Sequence, residues 1–238
     1  MSVGDNLEVG NANWRFRGDV VEKFDEHVVK SVPLYREGHE LICRLSDYFI
    51  KDGSTCYELG CSTGELTLKL AEHNKHRENV RFVGIDVEPE MVELARKKAH
   101  QRGIKNALFE VDDAVLMGLE PTDFVVSYYA IQFIRPSVRQ DLFDKIYQAL
   151  QWGGAFLLFE KVRANDARFQ DIMTGLYTDF KLERGYTAEE IVGKSRSLKG
   201  SLEPFSTQGN LDLFGRAGFV DIITVMKYIC FEGFLAIK

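Results

Sequence analysis

Apolar residues recur at helical spacing from Gly18 to Ser31, where Val20, Val21, Phe24 and Val28 share one face. A second such stretch, Leu34 to Ile50, is parted from it by Pro33. The rhythm then changes. Lys51-Asp52-Gly53-Ser54 reads as a turn, and Thr55 to Leu59 as a short strand. Strand and helix patterns alternate from there to Phe159. Helices are expected over Glu65 to His73, over Pro89 to Arg102 with Met91, Leu94, Ala95 and Ala99 on one face, and over Ser137 to Leu150. Strands are expected over Val80 to Asp86, Ala107 to Val111, Phe124 to Tyr128 and Ala155 to Phe159. Ser137 with Gln140 three later predicts a capping box, and Gly153-Gly154 ends that unit. Near-continuous apolar strands between helices imply a parallel sheet covered on both faces.

Beyond Phe159 the strand signals thin out. Asp166 to Arg184 and Thr187 to Lys199 read as helices, the second opened by a capping box of Thr187 and Glu190. A helical Leu211 to Ala217 precedes two β-like runs, Asp221 to Tyr228 and Phe231 to Lys238, parted only by Cys230 and its neighbour. They are expected to pair as a hairpin. The chain is therefore read as α/β: a mostly parallel seven-stranded sheet with an antiparallel C-terminal hairpin strand and helices on both faces. Extra helices lie at the N-terminus and after strand five. No linker or internal repeat divides it.

Composition narrows the class. The 238 residues are 45% hydrophobic with a formal net charge of −6, enough for a sizeable core and unsuited to free nucleic acid as an obligate partner. The densest basic run, Arg96-Lys97-Lys98 with Arg102 and Lys105, lies on one predicted helix and reads as a solvated face. No apolar run approaches the roughly 18 residues that span a bilayer, and the polar N-terminus lacks a secretory core. Cys43, Cys56, Cys61 and Cys230 form no CxxC pair, so a reduced cytoplasmic protein without a strong metal site is expected. His27, His39, His73, His76 and His100 fall in polar stretches and are read as surface residues.

A parallel sheet binds ligands outside the carboxyl ends of its strands. Here those ends carry Glu58-Leu59-Gly60-Cys61-Ser62-Thr63-Gly64, then Asp86, then Asp112-Asp113, then Tyr128-Tyr129. Gly60 permits a tight turn, and Gly64 lets the following helix pack close to the strand. Asp86 follows Gly60 by 26 positions, near the spacing at which an acid meets a ribose hydroxyl. A dinucleotide and S-adenosylmethionine (SAM) both fit. The loop leans towards SAM: a glycine is missing where a pyrophosphate would touch backbone, and Glu65 would face the phosphates. Glu58 can answer SAM's cationic groups directly or order the loop. Ser62 stands three before Glu65, the spacing of a capping box, so its hydroxyl is expected to cap the next helix. Cys61 is read as a small residue fitting a tight loop.

ELGCSTG followed by GIDVEPEM resembles motifs one and two of the class I SAM-dependent methyltransferases, which implies their Rossmann-like fold. A closer resemblance, to the bacterial carboxy-SAM synthases, runs from Trp14 to Lys238. Trp14-Arg15-Phe16, Ser31-Val32-Pro33 with Tyr35, Gly60-Cys61-Ser62, Ile85-Asp86, Gln132-Phe133 and Asp144-Lys145-Ile146-Tyr147-Gln148 carry it in the first two thirds. Gly153-Gly154-Ala155, Glu160-Lys161, Asp179-Phe180-Lys181, Gly185-Tyr186 and Ala217-Gly218-Phe219 carry it in the rest. That family makes carboxy-SAM and phenylpyruvate from SAM and prephenate, for the wobble-uridine modification of tRNA. Prephenate loses carbon dioxide as it aromatises, and the deprotonated SAM methyl captures it. Such a site must exclude water and hold a new carboxylate.

The resemblance implies a SAM site of Tyr35, Gly60, Cys61, Ser62, Asp86, Val87, Asp112 and Asp113. Asp86 would bind the ribose and Asp112 would sit by the adenine amine, with Asp113 beside it. Glu58, Gly64 and Tyr128 join these as cofactor candidates. It also implies a homodimer and helical lids; the polar start reads as a flexible tail over residues 1–13, and the undivided remainder as one SAM-binding domain over 14–238 with its lids at 14–50 and 166–200. The sequence departs from the family twice. Tyr128 replaces an asparagine, and the arginine that grips the new carboxylate falls at Ser195, with Arg196 one residue later. Arg196 and Tyr128 are the catalytic candidates. Lys161 and Lys181 match family positions but, as lysines, are read by default as surface residues. Arg135 and Arg163 are further candidates for an anionic substrate, and Glu160 is structural or faces the crevice. The departures, with the aromatic Tyr128, Tyr129 and Phe133, keep a second reading open: a small-molecule methyltransferase or carboxymethyltransferase using SAM or carboxy-SAM. A non-enzymatic SAM-sensing module is a third, with no residue in its favour.

Overall fold

The computed structural model describes residues 19–238. The expected tail and Trp14-Arg15-Phe16 lie outside the described residues. Two helices, α1 (Asp19–Ser31) and α2 (Tyr35–Ser46), precede the alternating unit. That unit runs β1 (Thr55–Leu59), α3 (Glu65–His73), β2 (Arg81–Asp86), α4 (Pro89–Arg102), β3 (Ala107–Val111), β4 (Thr122–Tyr128), α5 (Arg139–Ala149) and β5 (Leu150–Lys161). Then come α6 (Ala167–Glu183), α7 (Ala188–Ser197), α8 (Thr207–Ala217), β6 (Asp221–Tyr228) and β7 (Phe231–Ile237).

The strands form one seven-stranded sheet in the order β3-β2-β1-β4-β5-β7-β6. β1 to β5 are parallel, and β7 runs against both β5 and β6 as the second arm of the expected hairpin. All five residues of β1 are buried, which is the cost of lying mid-sheet with helices on both sides. Alternate residues feed two cores. Cys56, Phe82, Phe124 and Val126 pack with Ile42, Leu68, Val92 and Ala95 of α2, α3 and α4. On the opposite face Tyr57, Val125, Phe156 and Phe234 meet Leu142, Phe143, Leu213 and Phe214 of α5 and α8.

Four local expectations need correction. β5 begins at Leu150, not after Gly153-Gly154, because the register shifts between Thr122 and Phe124 and the glycines sit in that irregularity, Gly153 with φ +78°. Ser137 caps no helix: it lies in a 3-10 turn begun by Pro136, α5 starts after it, and Gln140 donates to Asp144 Oδ1 at 2.7 Å instead. The Thr187–Glu190 capping box does form. His27 and His39 are buried, not surface residues. His39 is wedged between Tyr35 and Tyr128, and burial with the nearby Lys69 holds it down at about 3. The basic run of α4 is largely exposed, but Lys98 turns back to pair with Asp25 at 2.5 Å.

Candidate active site

The carboxyl ends of β1, β2, β4 and β5, with the segment after β3, open into a cavity of about 1050 Å³. Its floor is the β1–α3 loop. Gly60 and Cys61 both donate their N–H to the Ile85 carbonyl, at 2.8 and 2.9 Å, which draws the loop across the end of β2. Ser62 N–H donates to Asp86 Oδ2 at 2.8 Å, and Glu88 N–H to Asp86 Oδ1 at 3.0 Å. Asp86 therefore ties the loop to its own strand end while lining the cavity.

Ser62 does not cap α3. The Gly64 N–H closes a turn on the Cys61 carbonyl at 2.8 Å, which leaves Ser62 at φ +49° and makes Gly64 the cap residue at φ +76°. The Ser62 side chain makes no cap bond, and Ser62 lines the cavity. Gly64 is off the cavity wall, and its role is packing: a Cβ there would lie 2.6 Å from the Phe109 ring and 2.7 Å from Ala95. A Cβ on Gly60 would lie 2.2 Å from Ala130 Cβ, so the loop needs glycine at both places.

Glu58 is buried at the head of the loop, bonded by the Thr67 hydroxyl, and burial pushes its carboxyl up to about 8. Burial likewise raises Asp86 and the Cys61 thiol, which leaves Cys61 an inert filler. Asp112 N–H donates to the Asp86 carbonyl at 3.1 Å, placing the third acid beside the second. Asp113 turns the chain by accepting from Val115 N–H at 2.8 Å. Val87 is exposed on the same wall. Tyr35 and Tyr128 stand opposite, rings 5.0 Å apart, and the Tyr128 hydroxyl is spent on the Tyr35 carbonyl at 2.7 Å.

The roof is built by α1, α6 and α7 around Ser31. Its carbonyl accepts from Tyr177 of α6 at 2.8 Å, and its hydroxyl accepts from Lys194 of α7 at 2.9 Å and meets the Tyr186 hydroxyl at 3.0 Å. Lys194 also bonds His27. Asp25 of α1 accepts from Thr63 at 2.6 Å and from Lys98 at 2.5 Å, so the roof is pinned to the loop. Neither Asp25 nor His27 was legible as a site residue. Asp25 belongs to no motif, and His27 sits in a polar stretch that reads as surface.

Arg196 is not brought to the cavity. Lys194, Ser195, Leu198 and Lys199 line it, while Arg196 faces solvent. One residue turns a helix by about 100°, and Lys194 fixes the phase of α7. Lys161, Lys181, Arg135 and Arg163 do line the cavity, and Lys181 is buried, against the surface default. Glu160 turns away from it into the protein, beside Arg139, and burial lifts its carboxyl to about 8. Among the described residues there is no group of three or more metal-ligating side chains, and no helix long and apolar enough to cross a membrane.

The donor set fits SAM: a glycine-dependent loop, successive acids at strand ends, and an acid, Glu58, where a cationic centre can approach. Acid-lined loop ends of this kind disfavour a pyrophosphate. Fold and site together define a class I SAM-dependent methyltransferase architecture. Residues 57–154 match the methyltransferase domain family. A SAM-dependent methyltransferase from Aquifex aeolicus superposes with a TM-score of 0.60 at 16% identity, covering 92% of this chain and 98% of that one. A Haemonchus contortus phosphoethanolamine N-methyltransferase 2, solved with SAM, gives 0.61 at 16% identity over 92% and 56% of the two chains. At that identity these establish the fold alone. The carboxy-S-adenosyl-L-methionine synthase of Staphylococcus epidermidis is 34% identical over 94% of this chain and 97% of its own. That of Campylobacter lari is 34% identical over 94% of each. The chain belongs to the carboxy-S-adenosyl-L-methionine synthase family and is a SAM-utilising transferase.

Proposed function

We propose that the protein converts SAM and prephenate to carboxy-SAM, phenylpyruvate and water. The observation that carries this reading is the charge layout of one cavity. Glu58, Asp86, Asp112 and Asp113 line one end, and Lys161, Arg163, Lys181 and Lys199 line the other. A cationic substrate and an anionic one thus have matching ends of one enclosure.

SAM supplies a methyl group made acidic by its sulfonium. The residues divide the remaining work. Asp86 takes the ribose hydroxyls, Asp112 the adenine amine with Asp113 beside it, and Gly60, Cys61 and Ser62 give the loop its close approach. Tyr35 and Val87 close the sides. Of the lid segments, residues 19–50 and 166–200 close over the site, their ties around Ser31 keeping water from the reacting carbon. In its overall balance prephenate yields its ring carboxyl to the methyl carbon, and its hydroxyl leaves as water with the methyl proton.

The reading also places the protein in the cytoplasm, in the supply of a tRNA wobble modification, without direct nucleic acid contact. A homodimer suits the exposed Phe169, Ile172, Leu176 and Leu182 of α6. Incubation with SAM and prephenate, followed by mass spectrometry, is the test. A product one carbon dioxide heavier than SAM, with phenylpyruvate, is expected; its absence rejects the reading. The solvent-facing Arg196 favours a second reading, a small-molecule methyltransferase or carboxymethyltransferase. Transfer of labelled methyl to an acceptor would select it.

A further inference from the structure

Two ammonium groups share one aromatic ring at the basic end of the cavity. Lys161 Nζ lies 4.4 Å and Lys181 Nζ 4.3 Å from the centroid of Tyr177. The ring is fixed. Its hydroxyl donates to the Ser31 carbonyl at 2.8 Å, and Phe231 packs against it at 5.2 Å in edge-to-face geometry. Lys161 is half-buried and Lys181 buried, and among the described residues neither meets a carboxylate within ion-pair distance. Arg163 and Lys199 add like charge nearby. The Cys230 thiol beside them cannot balance it, because burial raises its pKa. Cation–π attraction does not offset the desolvation of two charges: burial is the first cause lowering both lysines.

The missing counter-charge is two units, and it has to come from a ligand. We propose that Lys161 and Lys181, with Tyr177 as the floor between them, bind a small dicarboxylic acid, one carboxylate to each ammonium. Phosphate is the poorer match. Phosphate sites draw on helix N-termini and backbone amides, whereas the cations here are two side-chain ammoniums standing over one aromatic ring. Tyr177 and Phe231 instead offer an apolar wall to a carbon skeleton. Under the function proposed above, this is the seat of the carboxyl donor, and only the donor's identity rests on that reading. In the free protein Lys181 titrates at about 8, lowered first by burial and then by Lys161. The groups facing it are Lys161 of β5, Cys230 of the hairpin and Tyr177 of its own helix.

Calorimetric titration at pH 7 of the protein loaded with S-adenosylhomocysteine, which lacks the reacting methyl, tests the site with four probes: prephenate, phenylmalonate, phenylacetate and inorganic phosphate. The two dicarboxylates are expected to bind at least roughly tenfold more tightly than phenylacetate or phosphate. Lys161→Met and Lys181→Met are each expected to weaken dicarboxylate binding by roughly tenfold or more, while SAM affinity stays unchanged. Lys181→Arg is expected to retain it. Should the methionine variants melt early, the wild-type pH series decides, with dicarboxylate affinity falling as pH rises through about 8. Undiminished binding by the folded double variant, or phosphate binding as well as phenylmalonate, overturns the proposal. Lysine-dependent binding without a carbon-dioxide-heavier product would retain this site and reject the proposed reaction.

Discussion

The Tyr128 hydroxyl donates to the Tyr35 carbonyl at 2.7 Å, so the last residue of β4 holds the first residue of α2. Gly38 makes room for this: a Cβ there would lie 2.1 Å from that hydroxyl. Gly38→Ala is expected to push the two elements apart, costing about 1–3 kcal/mol as an overpacked contact. Tyr128→Phe keeps the ring against Tyr35, His39 and Phe159 but loses the hydrogen bond to the Tyr35 carbonyl, at about 1 kcal/mol. Both should weaken SAM binding through Tyr35, the alanine variant more. Urea melts and SAM titrations of the two variants check the order.

Glu58 is largely protonated at neutral pH in the free protein, because burial raises it to about 8. A sulfonium or ammonium brought beside it favours the carboxylate and lowers that value. SAM binding at pH 7 is therefore expected to release up to about one proton to buffer. Calorimetry in two buffers of different ionisation enthalpy measures the count. Glu58→Gln should release far less, with SAM affinity reduced roughly tenfold. An equal proton count in the two proteins would remove Glu58 from the cationic end of SAM.

The strands and most helices were legible because burial on both faces writes continuous apolar runs, and α3, α4 and β3 match their expected bounds to the residue. The strand-end rule then brought Glu58, Asp86, Asp112 and Asp113 together without knowledge of pairing. What escaped was set by tertiary geometry. Ser62 has capping spacing, but the turn from Cys61 to Gly64 spends the helix start on backbone. Lys161 and Lys181 lie twenty residues apart and look like surface lysines until α6 folds over the end of β5. Asp25 and His27 gain meaning only when α1 lies across the loop.

Glu160 sets a pH dependence of stability. It is 2% exposed, Oε1 lacks a partner among the described residues, and its carboxyl titrates at about 8. Arg139 and the amides of Gln132 and Ile131 favour the charge, but burial outweighs them. The folded value exceeds the unfolded one, so the folded state holds its proton more tightly. The residue costs nothing below about pH 4.5, destabilises progressively from there to about 8, and its penalty is complete above that. Glu160→Gln is expected to flatten the fall in stability between pH 5 and 8 by up to about 1.4 kcal/mol per pH unit. Urea midpoints across that range measure it. A parallel offset of the two curves would show that Glu160 ionises as freely folded as unfolded.

Ser195, not Arg196, lines the cavity, and the phase of α7 is held by the Thr187–Glu190 capping box at its start and by Lys194 against Ser31. Arg196→Ala should therefore leave carboxy-SAM affinity within about twofold, since an exposed charge outside the wall contributes little. Ser195→Arg places a guanidinium on the wall, where charge-assisted bonds to a carboxylate contribute about 1.5–3 kcal/mol. Carboxy-SAM binding should tighten roughly ten- to a hundredfold, while SAM, lacking that carboxylate, gains nothing. The ratio of the two dissociation constants is the readout, because a general change in the pocket would move both. A loss of more than tenfold in Arg196→Ala would mean that α7 rotates on binding, breaking the Lys194 tie to bring Arg196 inward. Ser31→Ala, which removes that tie, would then tighten carboxy-SAM in the wild-type background but have no such effect alongside Arg196→Ala.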